Sequence, residues 1–210
     1  PRGVAGRGEP VGDDRLPPDL GVVPGVVAVL RVDREEVADL GRVSVLAYVE
    51  DVRDCLRALG PAAVLGHSMG GLVAQKIAEE GAVPAAVFLT SAPPRGILVL
   101  RWRVLSRMWR YAGAVLGSRP FQPSPDDAAA LIANRLSRET QRQLYPKLVP
   151  ESGRAARELA LGSVRVDASR VRCPLLVVGA EHDAITSAGI QRKIAAKYGA
   201  TYLEAAGHAH

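Results

Sequence analysis

The 210 residues carry 27 Lys and Arg against 22 Asp and Glu, a net charge of +5 with a pI near 9.6, and 48% of them are hydrophobic. A chain of this size and apolar content buries one substantial core, which excludes a disordered polymer and fits one α/β domain with a small insertion. No apolar run reaches the roughly eighteen residues of a membrane span, and two distant cysteines, Cys55 and Cys173, exclude a disulfide scaffold and read as free thiols of a reducing, cytoplasmic compartment.

In chain order, residues 1–39 are rich in Pro and Gly and hold one plausible strand, Val26-Val27-Ala28-Val29-Leu30. Residues 44–59 predict a helix with Tyr48, Val52, Cys55, Leu56 and Leu59 on one face, ended by Gly60. The apolar run 61–65 reads as a strand. It leads into Gly66-His67-Ser68-Met69-Gly70, then a helix over 72–80 stopped by Gly81, then a second strand over 85–90.

Strand signals vanish between 93 and 171 and helices dominate. Ser124-Pro125-Asp126-Asp127 opens one of them, with a capping serine and proline at the first helical position. The densest basic cluster, Arg101, Arg103, Arg107 and Arg110, lies within 98–111 and alternates with Trp102, Val104, Leu105, Met108 and Trp109. That is an amphipathic pattern, read as a cap helix with a solvated basic face; a membrane-surface contact would require the basic and aromatic faces to segregate. Elsewhere the basic residues are scattered, which speaks against a nucleic-acid partner.

The α/β pattern then resumes. Residues 173–179 form a buried strand leading to Glu181-His182-Asp183, 187–198 a helix ended by Gly199, and 201–204 a last strand before Ala205-Ala206-Gly207-His208.

A serine on a tight strand-to-helix turn is held in a strained conformation that exposes its hydroxyl, and the following helix directs its first amides back at it. Ser68 is therefore the candidate nucleophile, and the Met69 N–H a candidate oxyanion donor. A serine hydroxyl needs a base and a group to orient that base. Acidic groups at 181–183 and histidines after the last strand supply both, in the order Ser, acid, His.

Gly66-His67-Ser68-Met69-Gly70-Gly71 with Leu72-Val73-Ala74 resembles the nucleophile elbow of the α/β-hydrolase superfamily, in its lipase, esterase and cofactor-free haloperoxidase-like branch. Pro174 to Gly179 with Asp183 is similar to that family's acid-bearing strand and turn, and Gly207-His208 to its terminal motif. The resemblance covers 40–210 and implies a mostly parallel sheet with helices on both faces and a helical cap insertion. Residues 40–92 and 172–210 would be the two parts of the core, 93–171 the cap, and 1–39 an atypical segment. It further implies Ser68 as nucleophile, His208 as base and then acid, and Asp183 as the residue fixing the histidine tautomer. Glu181 is the alternative acid and His210 the alternative base. His67 and His182 read as packing or surface residues.

The implied activity is cleavage of a small, apolar ester-type substrate through an acyl-enzyme, with no metal or organic cofactor; perhydrolysis and carbon–carbon hydrolysis could use the same groups. A second oxyanion donor, often marked by a His-Gly pair near the N-terminus, has no counterpart in 1–39, and the chain stops soon after the proposed base. The expectation is thus a chain truncated at both ends, with an impaired or non-catalytic hydrolase-fold fragment as the alternative function.

Overall fold

The computed structural model describes residues 39–81, 83–98 and 102–210. The strand expected at Val26 to Leu30, and Arg101 of the basic cluster, lie outside these residues.

Helix α1 (Val45–Leu59) begins where Ser44, in extended conformation, accepts the Ala47 N–H on its Oγ at 3.1 Å, and it ends at Gly60, whose φ of 82° suits a residue without Cβ. Its buried positions are Val45 and Val49, with Tyr48, Val52 and Leu56 packed beside them, while Leu59 is 46% exposed. The core-facing stripe is therefore set by the first turns of the helix, and the predicted inclusion of Leu59 is corrected.

Among the described residues four parallel strands follow, in sheet order β1 (Val64–His67), β2 (Ala86–Leu89), β3 (Leu175–Ala180) and β4 (Thr201–Ala205). Hydrogen bonding of β1 begins at Val64, whose N–H meets Ala85 O at 3.1 Å, and continues into the motif itself, so Gly66 and His67 are strand residues. Helix α2 (Met69–Glu79) returns the chain from β1 to β2, and α8 (Ala188–Tyr198) links β3 to β4; both crossovers join neighbouring parallel strands. Tyr198 of α8 donates its hydroxyl to Gln75 Oε1 of α2 at 2.8 Å and meets Phe88 of β2 edge-on, so these helices lie together on one face of the sheet.

That face holds the core. Leu72 and Ile77 of α2, Phe88, Val177 and Ile194 are each 1% exposed or less, and burying a side chain of this kind contributes about 1.5–3 kcal/mol. On alternate residues the strands point the other way, where Leu65 is 67% and Leu203 55% exposed.

Between β2 and β3 run α3 (Trp102–Met108), α4 (Ala112–Leu116), α5 (Pro125–Leu131), α6 (Arg138–Leu144) and α7 (Gly153–Ala160). Ser124, Ser137 and Ser152 each cap a helix by accepting an amide three residues on. Asp127, fully buried, accepts from Tyr111, Ser124 and Arg107, tying α3 to α5. The last part of this insertion rejoins the main core: Ala155, Val164 and Val166 are buried among the residues of α1 and α2. No described helix is long and apolar enough to cross a membrane.

Candidate active site

Ser68 stands between β1 and α2 with φ 54° and ψ −120°, a conformation that costs a non-glycine residue about 1–3 kcal/mol. Three backbone bonds hold it there. Its N–H donates to Leu89 O at 3.1 Å, and its carbonyl accepts from Gly71 at 3.0 Å and Ala92 at 2.8 Å. The turn is tight because strand and helix backbones touch: a Cβ on Gly66 would lie 2.1 Å from Gly70 O, and one on Gly71 2.3 Å from Ser91 Oγ. Gly70, the second glycine of the motif, has nothing within 4 Å of the same position.

The histidine at Ser68 is His210. Its Nε2 lies 2.8 Å from Ser68 Oγ and its Nδ1 2.8 Å from Asp183 Oδ2, and the imidazole and carboxylate side chains are only 3% and 0% exposed. A carboxylate can only accept, so Nδ1 carries the proton and Nε2 is left to accept from the serine hydroxyl. The expectation of His208 is corrected. After β4 the chain turns at Gly207, φ 72°, and His208 is clamped through its backbone, its carbonyl accepting the His182 N–H at 2.9 Å. Its exposed ring contacts Ala206 O instead, at 2.8 Å. Only the following two residues bring an imidazole beneath Ser68. Both histidines follow the same strand, and nothing local in the sequence separates them.

Asp183 is fastened on both oxygens. Oδ1 accepts the Ile185 and Thr186 N–H groups at 2.7 and 2.8 Å, and Oδ2 accepts the Thr186 hydroxyl at 2.9 Å besides His210. Burial pushes its pKa up, but the hydrogen bond and charge of His210 and the two backbone amides outweigh that, and the carboxyl is held below the usual aspartate value. Glu181 is half exposed, accepts the Gly207 N–H at 2.8 Å, and braces the terminal loop from outside the cluster.

The supports of Asp183 continue inward as a buried polar network that the sequence did not announce. The single hydroxyl proton of Thr186 is shared between Asp183 Oδ2 and Thr90 O, the latter at 2.8 Å. Gln191 donates to Ser91 O and accepts the Ser91 N–H, and Gln75 donates to Ser91 Oγ and Ala92 O. Gln75, Ser91 and Gln191 are completely buried, so each bond here locks the loops after β2 and β3 to one geometry.

His67 stands with its ring 4.8 Å from that of His210. Desolvation first, and then the neighbouring imidazole, hold its pKa below the usual histidine value, so it stays neutral beside His210. The helix α2 begins at Met69, directly after the serine, which aims the amide end of its dipole at the Ser68 region.

A cavity of about 380 Å³ opens beside the acid loop, lined by Arg103, Asn134, Arg135, Glu181, His182, Asp183 and Ala184. It is polar. The large apolar residues Leu98, Trp102, Trp109 and Leu116 of the insertion do not line it and are 70–81% exposed. Among the described residues no cluster of His, Cys, Asp or Glu is arranged to hold a metal ion.

Comparison with protein families matches residues 4–210 to the model described as the alpha/beta hydrolase family. The chain belongs to this family. No curated protein matches the sequence. Among solved structures, a hydrolase from Pseudomonas aeruginosa is similar at 21% identity and a TM-score of 0.60, covering 81% of this chain and 66% of its own. A monoacylglycerol lipase from Paleococcus ferrophilus is similar at 19% identity and a TM-score of 0.57, covering 81% and 68%. Carboxylesterases of Nitrososphaera gargenis give 17% identity and a TM-score of 0.58, covering 81% and 66%. These are α/β-hydrolase folds, and the chain spans about two thirds of their length.

Proposed function

We propose that this α/β-hydrolase family member is a serine hydrolase that cleaves ester-type acyl substrates through Ser68, His210 and Asp183. The observation that carries the reading is the pair of 2.8 Å contacts of His210, one to the serine hydroxyl and one to the carboxylate. Proteins of the same fold described as a monoacylglycerol lipase and as carboxylesterases support the class of reaction.

In this mechanism Ser68 Oγ attacks the acyl carbonyl carbon while its proton passes to His210 Nε2. The imidazolium that forms is stabilised by Asp183, which keeps the ring in place through Nδ1–H. The carbonyl oxygen, now negative, meets the Met69 N–H at the start of α2. His210 then returns the proton to the departing alcohol. Water, deprotonated by the same nitrogen, attacks the acyl-serine, releases the acid and restores Ser68.

The test is labelling of the full chain with a fluorophosphonate. The expected result is one covalent adduct, abolished in Ser68→Ala. A folded protein that takes no label, or a Ser68→Ala variant that labels equally, overturns the proposal.

A further inference from the structure

The whole net charge of the chain is concentrated in one segment. Residues 98–125 hold Arg101, Arg103, Arg107, Arg110 and Arg119 and no Asp or Glu, so the rest of the chain carries 22 residues of each sign. The same segment holds both tryptophans. Both are exposed, Trp102 at 81% and Trp109 at 70%, beside Leu98 at 76%, Leu105 at 46% and Leu116 at 70%.

Their spacing makes them one ridge. Trp102, Leu105 and Trp109 follow one another at three- and four-residue steps along α3 and the 3-10 turn Trp109–Tyr111 that continues it, so they share one exposed face, and Leu116 ends α4 just beyond that turn. Arg103, Arg107 and Arg110 fall on the adjoining flank. Arg107 and Arg110 lie 3.0 and 3.8 Å from the one buried carboxylate of Asp127, which leaves a surplus of positive charge, while the Arg110 side chain remains 62% exposed. The inner face is occupied by Val104, Met108 and Tyr111, all half-buried, with Tyr111 packed on Phe121. The aromatic and basic faces thus segregate, which is the condition for a helix that lies on a bilayer.

We propose that this ridge docks the protein on an anionic lipid surface, with Trp102, Leu105, Trp109 and Leu116 at the headgroup boundary and the flanking arginines against lipid phosphates. Tryptophan is the side chain best suited to that boundary, because its ring is apolar and its N–H polar. A second copy of the chain is a poor occupant, since it would bring two flanks with a surplus of arginine together. The inference is independent of the hydrolytic reading and holds whether or not Ser68 is active.

The two tryptophans are the only ones in the protein, so intrinsic fluorescence reads the ridge directly. The full chain is titrated with vesicles of phosphatidylcholine containing phosphatidylglycerol, and with phosphatidylcholine alone. The expected result is a blue shift and quenching by brominated acyl chains with the anionic vesicles only. Arg103→Gln should lower the partition coefficient about fivefold, the effect of one basic side chain at an anionic surface, and Trp102→Ser with Trp109→Ser should abolish co-sedimentation. The proposal is overturned by emission that no vesicle shifts, by co-sedimentation that survives the double substitution, or by an already blue emission that moves red as lipid-free protein is diluted, which would mean that another copy covers the ridge.

Discussion

Exchanging the two terminal histidines for alanine one at a time discriminates sharply between them. His210 touches both partners of the serine relay at 2.8 Å, whereas His208 places an exposed ring on a backbone carbonyl. Removing the base of such a relay costs about 10⁴–10⁶ in turnover, or about 5–8 kcal/mol of transition-state stabilisation. His210→Ala should therefore lose nearly all hydrolysis of a p-nitrophenyl ester. It also strips a charge-assisted bond from a buried carboxylate, so urea unfolding should report a stability loss of about 1.5–3 kcal/mol. His208→Ala gives up only a surface contact, with rates within about twofold and stability within about 0.5 kcal/mol of the parent. Equal loss of activity in the two variants, or the greater loss in His208→Ala, would refute the assignment.

Two further perturbations test the geometry around the serine. Gly66→Ala and Gly71→Ala place a methyl 2.1 and 2.3 Å from neighbouring atoms and should destabilise by about 1–3 kcal/mol or more, while Gly70→Ala meets open space and should be tolerated; a thermal melt in which Gly70→Ala is the worst of the three would contradict this. The depressed pKa of Asp183 means that its carboxylate contributes stability fully above the unfolded value near 3.8, a contribution lost as pH falls through the lower folded value. The stability gap between the parent and Asp183→Asn should then narrow between about pH 5 and about pH 2, and a gap that stays constant in urea titrations would count against the coupling.

Much of the architecture was legible because it depends on local pattern. Capping serines, glycine stops and apolar runs located α1, α2, α8 and the four strands to within a few residues, and the strand–turn–helix context marked Ser68. The face of α1 was misread because period alone cannot tell which turns of a helix meet a neighbour; Leu59 follows the pattern of Val45 but lies beyond the packed region. The segment 98–111 was visible as an amphipathic pattern, yet whether its tryptophans cover a cavity or face solvent depends on how α3 sits on α5 through the buried Asp127.

The sequence by itself marked Ser68 as the candidate nucleophile and put an acid and two histidines behind it, because a strand–turn–helix pattern and the order of residue types are both local features of the chain. Tertiary structure alone chose the histidine. His208 and His210 have the same reach and the same chemistry, and the choice is made by the bond of the His208 carbonyl to His182, between segments 26 residues apart. Three-dimensional packing likewise revealed that Gly71, outside the five-residue motif, is the glycine pressed against Ser91. Distances between segments remote in the chain are fixed by packing, and no local pattern of residues encodes them.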